Sequence, residues 1–275
     1  IFVPGNTAVV TGAALGIGRA MSKRFAEMGM TVVMADLPGG DFDDALEVTR
    51  AAAGGGAEKV IGVPTDVSDL DAIKALRDRG AALDKVNVLV NNAVTRVGRG
   101  FDADIADWRR AMEVNLWGPV SAVDAFLPGL LAQNAPAAIV NVGSKQGITN
   151  PPGHPIYNMT KSALKTYTEA LAHHLRALDG NAGDSRVTTH LLVPGWTTTG
   201  KAEHKPGAWL PEQVVDRMIA AVTDGDFYIV CPDGETTPEM DRKRIAWAAS
   251  DITENRPPLS RWHPDFAEAA KAACS

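Results

Sequence analysis

The chain holds 275 residues, 45% of them apolar and 22% charged, with a formal charge of -6. That balance suits a globular protein with a substantial core and excludes the basic footprint of nucleic-acid binding, since no local block of Lys and Arg reverses it. Cys231 and Cys274 stand far apart without metal-ligand or redox spacing, so neither a disulfide framework nor a zinc site is expected, and a reducing cytoplasm fits. No apolar run approaches the roughly 18 residues of a membrane span, and the opening IFVPGNTAVVTG has no basic stretch before an apolar one, so no secretion signal is expected.

In chain order the apolar pattern predicts a strand at 7–11, a helix at 17–28, a strand at 31–35, a helix at 42–53, a strand at 58–63 and a helix at 69–82. A strand at 87–91, one long helix at 105–132, a strand at 137–142 and a helix at 156–178 follow. The series closes with a strand at 186–193, a helix at 211–223, a strand at 226–230 and an amphipathic piece at 238–249. The runs TAVVT, TVVMA, VNVLV, AAIVNV and VTTHLLV are apolar almost throughout rather than alternating. Strands of that kind are covered on both faces, which predicts an α/β fold: a doubly wound, seven-stranded parallel sheet of Rossmann-like type in a single domain. Asp41, Ser68 and Asp69 stand at N-cap positions, and Gly29 at a left-handed C-cap. The Pro-rich stretch 253–264 reads as an extended tail.

Gly12, Gly16 and Gly18 fall between the first strand and the helix that opens at Ile17. A pyrophosphate needs close backbone approach and free N–H groups at a helix N-terminus, where the macrodipole also favours negative charge. Asp36 ends the second strand 18 residues after Gly18, close to the spacing at which an acid accepts from the adenosine ribose diol. A carboxylate there repels a 2'-phosphate, and neither Leu15 nor Leu37 offers a compensating charge. The expected cofactor is therefore NAD rather than NADP.

Tyr157 and Lys161 are four residues apart on one helix face. An ammonium beside a phenol stabilises the phenolate and makes the tyrosine a usable acid or base near neutral pH. Ser144 follows the fifth strand, 13 residues before Tyr157, where its hydroxyl can meet the reacting oxygen. The six histidines form no ligand cluster, so no metal is expected.

With TGAALGIG, Asp36, Asp66 and Val67, NNA at Asn91 to Ala93, Asn115, Ser144, YNMTK, and Pro194 with Gly195, the sequence resembles the compact short-chain dehydrogenase/reductase family from about Asn6 to Ile229. The resemblance implies that Asp66 and Val67 meet the adenine, that Asn91 and Ala93 line a ribose, and that Lys161 binds the nicotinamide ribose. It implies that Asn115 holds a relay water, and that Pro194, Gly195 and Thr197 hold the nicotinamide amide. Val94 stands where the family has a glycine. The catalytic tetrad is then Asn115, Ser144, Tyr157 and Lys161, and the reaction a hydride transfer between NAD and a secondary alcohol or ketone.

On this reading residues 1–231 form the NAD-binding catalytic domain, including a flexible substrate lid at 196–211 that carries Trp196, Trp209 and Leu210. Residues 232–275 form an extension packed on the same domain or on a neighbouring subunit. Gln146, Ile148, Pro152 and His154 form the opposite wall of a pocket for a small-molecule alcohol or carbonyl compound, while Lys145, Lys201 and Lys205 offer an anion-binding alternative. An extended sugar-nucleotide epimerase or dehydratase is disfavoured by the GxxxGxG spacing, and a non-catalytic NAD-sensing regulator by the retained tyrosine. Apolar residues beyond one face of the helices at 105–132 and 156–178, among them Leu116, Val120, Val123, Leu127, Leu164, Leu171 and Leu175, together with the family resemblance, imply a homo-oligomer, a tetramer or dimer.

Overall fold

The computed structural model describes residues 1–83, 85–178 and 186–274. Seven parallel strands make one sheet in the order β3-β2-β1-β4-β5-β6-β7. They are β1 (Thr7–Thr11), β2 (Thr31–Asp36), β3 (Val60–Pro64), β4 (Val88–Asn91), β5 (Ala137–Val142), β6 (Val187–Val193) and β7 (Tyr228–Val230). Successive side chains of a strand point to opposite faces, and the two cores divide accordingly. Ala8, Val10, Val32 and Met34 face α1 (Gly16–Glu27), α2 (Gly40–Ala51) and, further along the sheet, α8 (Pro211–Asp224), packing with Met21, Phe25, Ala45 and Met218. Val9, Val33, Leu89 and Ile139 face α3 (Leu70–Ala81), α5 (Gly118–Ala132) and α7 (Pro155–Leu178), packing with Leu76, Phe126, Leu130 and Leu171. The doubly wound fold follows from strands that are apolar on both faces. Between β1 and β4 the strand order reverses, and such a switch point opens a crevice at the carboxyl ends of the strands.

The structure departs from the sequence pattern in three places. The predicted continuous helix at 105–132 is α4 (Ile105–Met112), a π turn at Glu113–Trp117 that contains Asn115, and α5. A single helical turn, α6 (Gln146–Thr149), follows β5. The tail is not extended: α9 (Pro238–Thr253) and α10 (Ala267–Cys274) flank two 3-10 turns at Ser260–Trp262 and Pro264–Phe266. The cause is a cluster around Arg256, whose guanidinium stacks 4.1 Å from the Trp247 ring, donates to the Trp247 carbonyl at 2.9 Å and pairs with Asp251 at 3.0 Å. Of the expected caps, Asp69 holds the amides of Asp71 and Ala72 and Gly29 turns left-handed, but Gly39 takes the N-cap of α2, with Asp41 inside its first turn, and Ser68 bonds Asp66 instead.

Candidate active site

The turn after β1 is fixed by the chain's own packing. Gly12 has φ +65°, and a Cβ on it would lie 2.7 Å from the Ala93 Cα, while a Cβ on Gly18 would lie 2.0 Å from the Gly12 carbonyl oxygen. Both glycines thus let β4's exit and α1 close on the turn, a role nearer to home than the phosphate approach that motivates them in sequence. Asn92 locks this arrangement: its side-chain amide donates to the carbonyls of Thr11 (3.0 Å) and Gly12 (2.9 Å). Thr11 Oγ1 accepts from the backbone amides of Asn92 (3.0 Å) and Ala93 (3.2 Å). Leu15 leads into α1 in extended conformation with no side-chain cap, and no acid stands in the first turn. The first amides of α1, at Gly16 and Ile17, are left facing the cleft with the positive end of the helix dipole behind them.

The cleft encloses about 1010 Å³ and runs from Asp36, Leu37, Asp66 and Val67 past Gly12, Gly16 and Ala93 to Ser144, Tyr157, Lys161, Pro194, Gly195 and Thr197. Asp36 Oδ2 accepts from the Ala14 amide at 2.7 Å and Oδ1 from the Leu37 amide at 2.8 Å, so the carboxylate is clamped at the cleft wall with lone pairs to spare. Leu37 beside it is half-exposed and uncharged. Asp66 accepts from the Ser68 hydroxyl (2.6 Å) and amide (2.9 Å) and from Arg110 (3.2 Å). Burial opposes its ionisation, but Ser68 and Arg110 outweigh burial and hold the carboxyl below its ordinary range. Asn91 does not line the cleft: it is buried, and its amide donates to Asn141 Oδ1 at 2.8 Å, tying β4 to β5, so that Asn92 and Ala93 form the wall.

At the other end α7 presents Tyr157 and Lys161 together. Lys161 is buried and donates to the Val142 carbonyl at 2.7 Å, with its ammonium 5.8 Å from the Tyr157 ring centre. Burial lowers the affinity of Lys161 for its proton, and Arg96 adds to this while Tyr157 opposes it. Burial by itself would raise the Tyr157 pKa; Lys161, then Arg96, then a hydrogen bond from Ser144 turn the balance, and the phenol ionises below its ordinary value. The Ser144 hydroxyl is oriented by the Gln146 amide, which donates to it at 3.2 Å from the first turn of α6.

Asn115 is fully buried and lies behind the cleft. The π turn aims its side chain at Thr95, whose amide it accepts at 2.8 Å and to whose carbonyl it donates at 3.0 Å, with a further bond to Thr160 Oγ1 at 3.2 Å. It completes a side-chain bridge to the segment after β4, and a π turn is a common device for such placement. That segment carries Arg96, which the sequence reading missed. Its guanidinium stacks 4.5 Å from the Tyr157 ring centre and donates to the phenolic oxygen at 3.4 Å. No pattern in the sequence points to it, because it lies 61 residues from Tyr157 in an irregular segment.

On the substrate side, Trp196 and Gln146 border the cleft, and His154 borders a side cavity next to Tyr157. Trp209 packs against the core under α1 and α8 and lies off the cleft. The two ends of the expected lid are stitched together by Trp209 N–H to the Trp196 carbonyl (2.8 Å) and Thr198 N–H to the Trp209 carbonyl (2.9 Å). Lys145 is engaged by Asp241 at 2.7 Å and Asp233 at 3.2 Å, and Lys201 by Asp41 at 2.8 Å, so neither is a free anion receptor. Among the described residues no cluster of His, Cys, Asp or Glu could hold a metal, and no helix is long and apolar enough to cross a membrane.

A glycine turn at the switch point of a doubly wound sheet, lining one cleft with a tyrosine and a lysine from one helix, is the arrangement of a dinucleotide-dependent oxidoreductase class. Residues 6–207 match the short chain dehydrogenase family model. The chain is similar to cis-4-hydroxycyclohexanecarboxylate dehydrogenase of Sinomonas cyclohexanicum, at 32% identity with 90% of each chain covered. It is similar to 1-deoxy-11-beta-hydroxypentalenate dehydrogenase of Streptomyces arenae, at 35% identity over 72% of this chain and 69% of that one. Among solved structures, a Burkholderia phymatum short-chain dehydrogenase/reductase in complex with NAD superposes with a TM-score of 0.81, at 30% identity over 94% of this chain and 98% of that one. The protein belongs to the short-chain dehydrogenase/reductase family and is an oxidoreductase of alcohol and carbonyl groups.

Proposed function

We propose that the protein is an NAD-dependent dehydrogenase of secondary alcohols, with Tyr157 as the general acid and base. The observation that carries this reading is the Tyr157 hydroxyl in the cleft, flanked by the Lys161 and Arg96 cations and hydrogen-bonded by Ser144. The residues fit a dinucleotide: the uncapped N-terminus of α1 suits the pyrophosphate, Asp36 the adenosine ribose diol, Asp66 and Val67 the adenine, and Lys161 the nicotinamide ribose. Asp36 beside the uncharged Leu37 supports NAD over NADP, because nothing at that wall would neutralise a 2'-phosphate. When bound, the nicotinamide accepts hydride from the carbinol carbon or returns it.

Tyr157 as phenolate takes the hydroxyl proton of the substrate, and Ser144 holds the same oxygen as it becomes a carbonyl. Lys161 stabilises the phenolate, the form of Tyr157 that accepts the proton in the oxidative direction. Asn115 holds the segment bearing Arg96 and Thr95 at a fixed distance from α7. The relatives named for cis-4-hydroxycyclohexanecarboxylate and for a hydroxypentalenate support a ring-borne or hindered secondary hydroxyl as the reacting group. Buried, unpaired Cys231 and Cys274 support a reducing, cytoplasmic setting. Half-exposed Trp117 in the π turn, Leu131 on α5 and Met159 on α7 support a homo-oligomer formed through these helices.

The test is NADH formation across a panel of secondary alcohols, with Tyr157→Phe as control. Tyr157→Phe is expected to bind NAD nearly as wild type does and to lose about 100-fold or more in kcat. A Tyr157→Phe enzyme of undiminished kcat refutes the role given to the tyrosine.

A further inference from the structure

Resting on the dehydrogenase reading above, the geometry points to a hydroxy acid as the substrate class, its carboxylate bound by Arg96 in a basic side cavity that adjoins Tyr157. Arg96 stands where a recognition residue has to stand: its guanidinium is 3.4 Å from the catalytic hydroxyl, so whatever it holds lies within reach of the reacting carbon. Among the described residues no carboxylate pairs with it, although the chain as a whole carries a net charge of -6. A guanidinium has five donors in a fixed fork, and here the cleft's only contribution is one long bond to Tyr157, leaving the fork's outer edge to a bidentate acceptor.

The space beside it supports the same conclusion. A cavity of about 110 Å³ lies between Arg96, Arg99, Gln146, His154, Ile156 and Tyr157, and no acidic side chain lines it. That volume accommodates a carboxylate with a short carbon stem rather than a whole substrate. Arg99 and His154 add positive or donor character on the far side, and Gln146 is shared with the main cleft, so a ligand spanning both keeps polar partners throughout. Of the lysines that might have competed for the anion, Lys145 is engaged by Asp241 and Asp233 and Lys201 by Asp41, while Lys205 is exposed and lines neither cavity. From the reacting hydroxyl through Tyr157 and across the Arg96 guanidinium to the carboxylate is three hydrogen bonds plus the width of the guanidinium, about 2.3 Å, which caps the separation of the two functional groups at roughly 11 Å. The class is thus a compact hydroxy acid, whose carboxylate neutralises Arg96 while the hydroxyl meets Tyr157 and Ser144.

The experiment pairs each hydroxy acid of a panel with its uncharged primary amide and follows NADH formation by wild type, Arg96→Gln and Arg96→Lys. A parallel calorimetric titration adds cyclohexanecarboxylate or cyclohexanecarboxamide to the NADH complex of each protein. Wild type is expected to favour the acid by about 10- to 100-fold in kcat/KM, mostly through KM, and to bind the carboxylate but not the amide. Arg96→Gln should bring the acid-to-amide ratio near one and abolish carboxylate binding, with Arg96→Lys in between because it keeps charge without the fork. If Arg96 serves only to acidify Tyr157, Arg96→Gln shifts the pH profile for acids and amides alike and leaves their ratio unchanged, which overturns the proposal. Equal use of acid and amide by wild type, or carboxylate binding indifferent to Arg96, overturns it too. Absence of NADH from every alcohol would refute the dehydrogenase reading, and the calorimetric arm would then decide the carboxylate site by itself.

Discussion

Asn115→Ala removes three hydrogen bonds made by a fully buried side chain: those to the Thr95 amide (2.8 Å), the Thr95 carbonyl (3.0 Å) and Thr160 Oγ1 (3.2 Å). Each intramolecular bond contributes about 1 kcal/mol net, and a buried group stranded by the deletion costs about 1–3 kcal/mol. Thr95 is only partly buried, so water can recover some of its loss, whereas Thr160 is sealed and keeps its bond to the Tyr157 carbonyl at 2.9 Å. The expected destabilisation is about 2–4 kcal/mol, a fall in Tm of roughly 5–15 °C. Turnover should fall further than stability, because the freed segment bears Arg96, which stacks on Tyr157. The assay is urea unfolding together with kcat and KM for the best alcohol at a temperature where the variant is folded. Asn115→Asp keeps the acceptor for the Thr95 amide but sets an oxygen against the Thr95 carbonyl, and it should rescue neither quantity. An alanine variant within about 0.5 kcal/mol of wild type would refute the clamp, and one that lost activity alone would leave Asn115 a role in proton transfer instead.

Replacing Asp36 with Ala and Leu37 with Arg should move the ratio of kcat/KM for NAD over NADP by about 10- to 100-fold toward NADP, and a wild-type preference for NADP would refute the role of Asp36. Burial lowers the pKa of His190, which spans Thr188 Oγ1 and the Asp226 carbonyl as a neutral ring. The unfolded chain therefore binds the proton first, and this contribution to stability is complete above about pH 6.5 and declines as pH falls below it. His190→Gln should flatten that acid limb in urea titrations, and an unchanged limb would assign it to other groups. Light scattering over a dilution series should give a mass that is a multiple of 29.0 kDa, with a monomer at micromolar concentration refuting the oligomer.

The five inner strands were legible in the sequence because parallel strands covered on both faces leave unbroken apolar runs, and the order of elements then admits few topologies for the two edge strands. The pairing of Tyr157 with Lys161 was legible because a helix brings positions four apart together. What escaped has a common physical cause: it depends on where irregular chain is held. Apolar periodicity does not register one inserted residue, so the π turn at Glu113–Trp117 reads as ordinary helix although it decides where Asn115 points. Arg96 and Asn92 sit in a segment with no period, positioned by bonds to Thr11, Gly12 and Asn115 that the sequence does not display. The seven apolar residues assigned to an interface overstated it, since Val123, Leu164, Leu171 and Leu175 are consumed by the subunit's own core.

The extension beyond residue 231, expected to pack on its own domain or on a neighbouring subunit, reaches the loop that carries Ser144 of its own chain. Lys145 directly follows Ser144 and precedes the amide that orients the serine hydroxyl, and its ammonium is held by Asp241 of α9 and by Asp233. Asp233 Oδ2 also accepts from the Trp196 amide at 3.2 Å, and Gly234 donates to the Gly207 carbonyl at 2.6 Å within the expected lid. The Asp233 carboxylate therefore joins the serine loop to the start of the segment over the cleft, and Lys145 ties both to α9 through Asp241. Among the described residues this pair is one of the least exposed ion pairs, and breaking a shielded pair leaves a charge that water cannot easily reach. Residues 232–275 thus behave as a brace for the catalytic loop rather than an appendage. Between the stitched ends of the segment over the cleft, residues 199–206 are exposed, so the brace fixes its ends and leaves its middle to solvent.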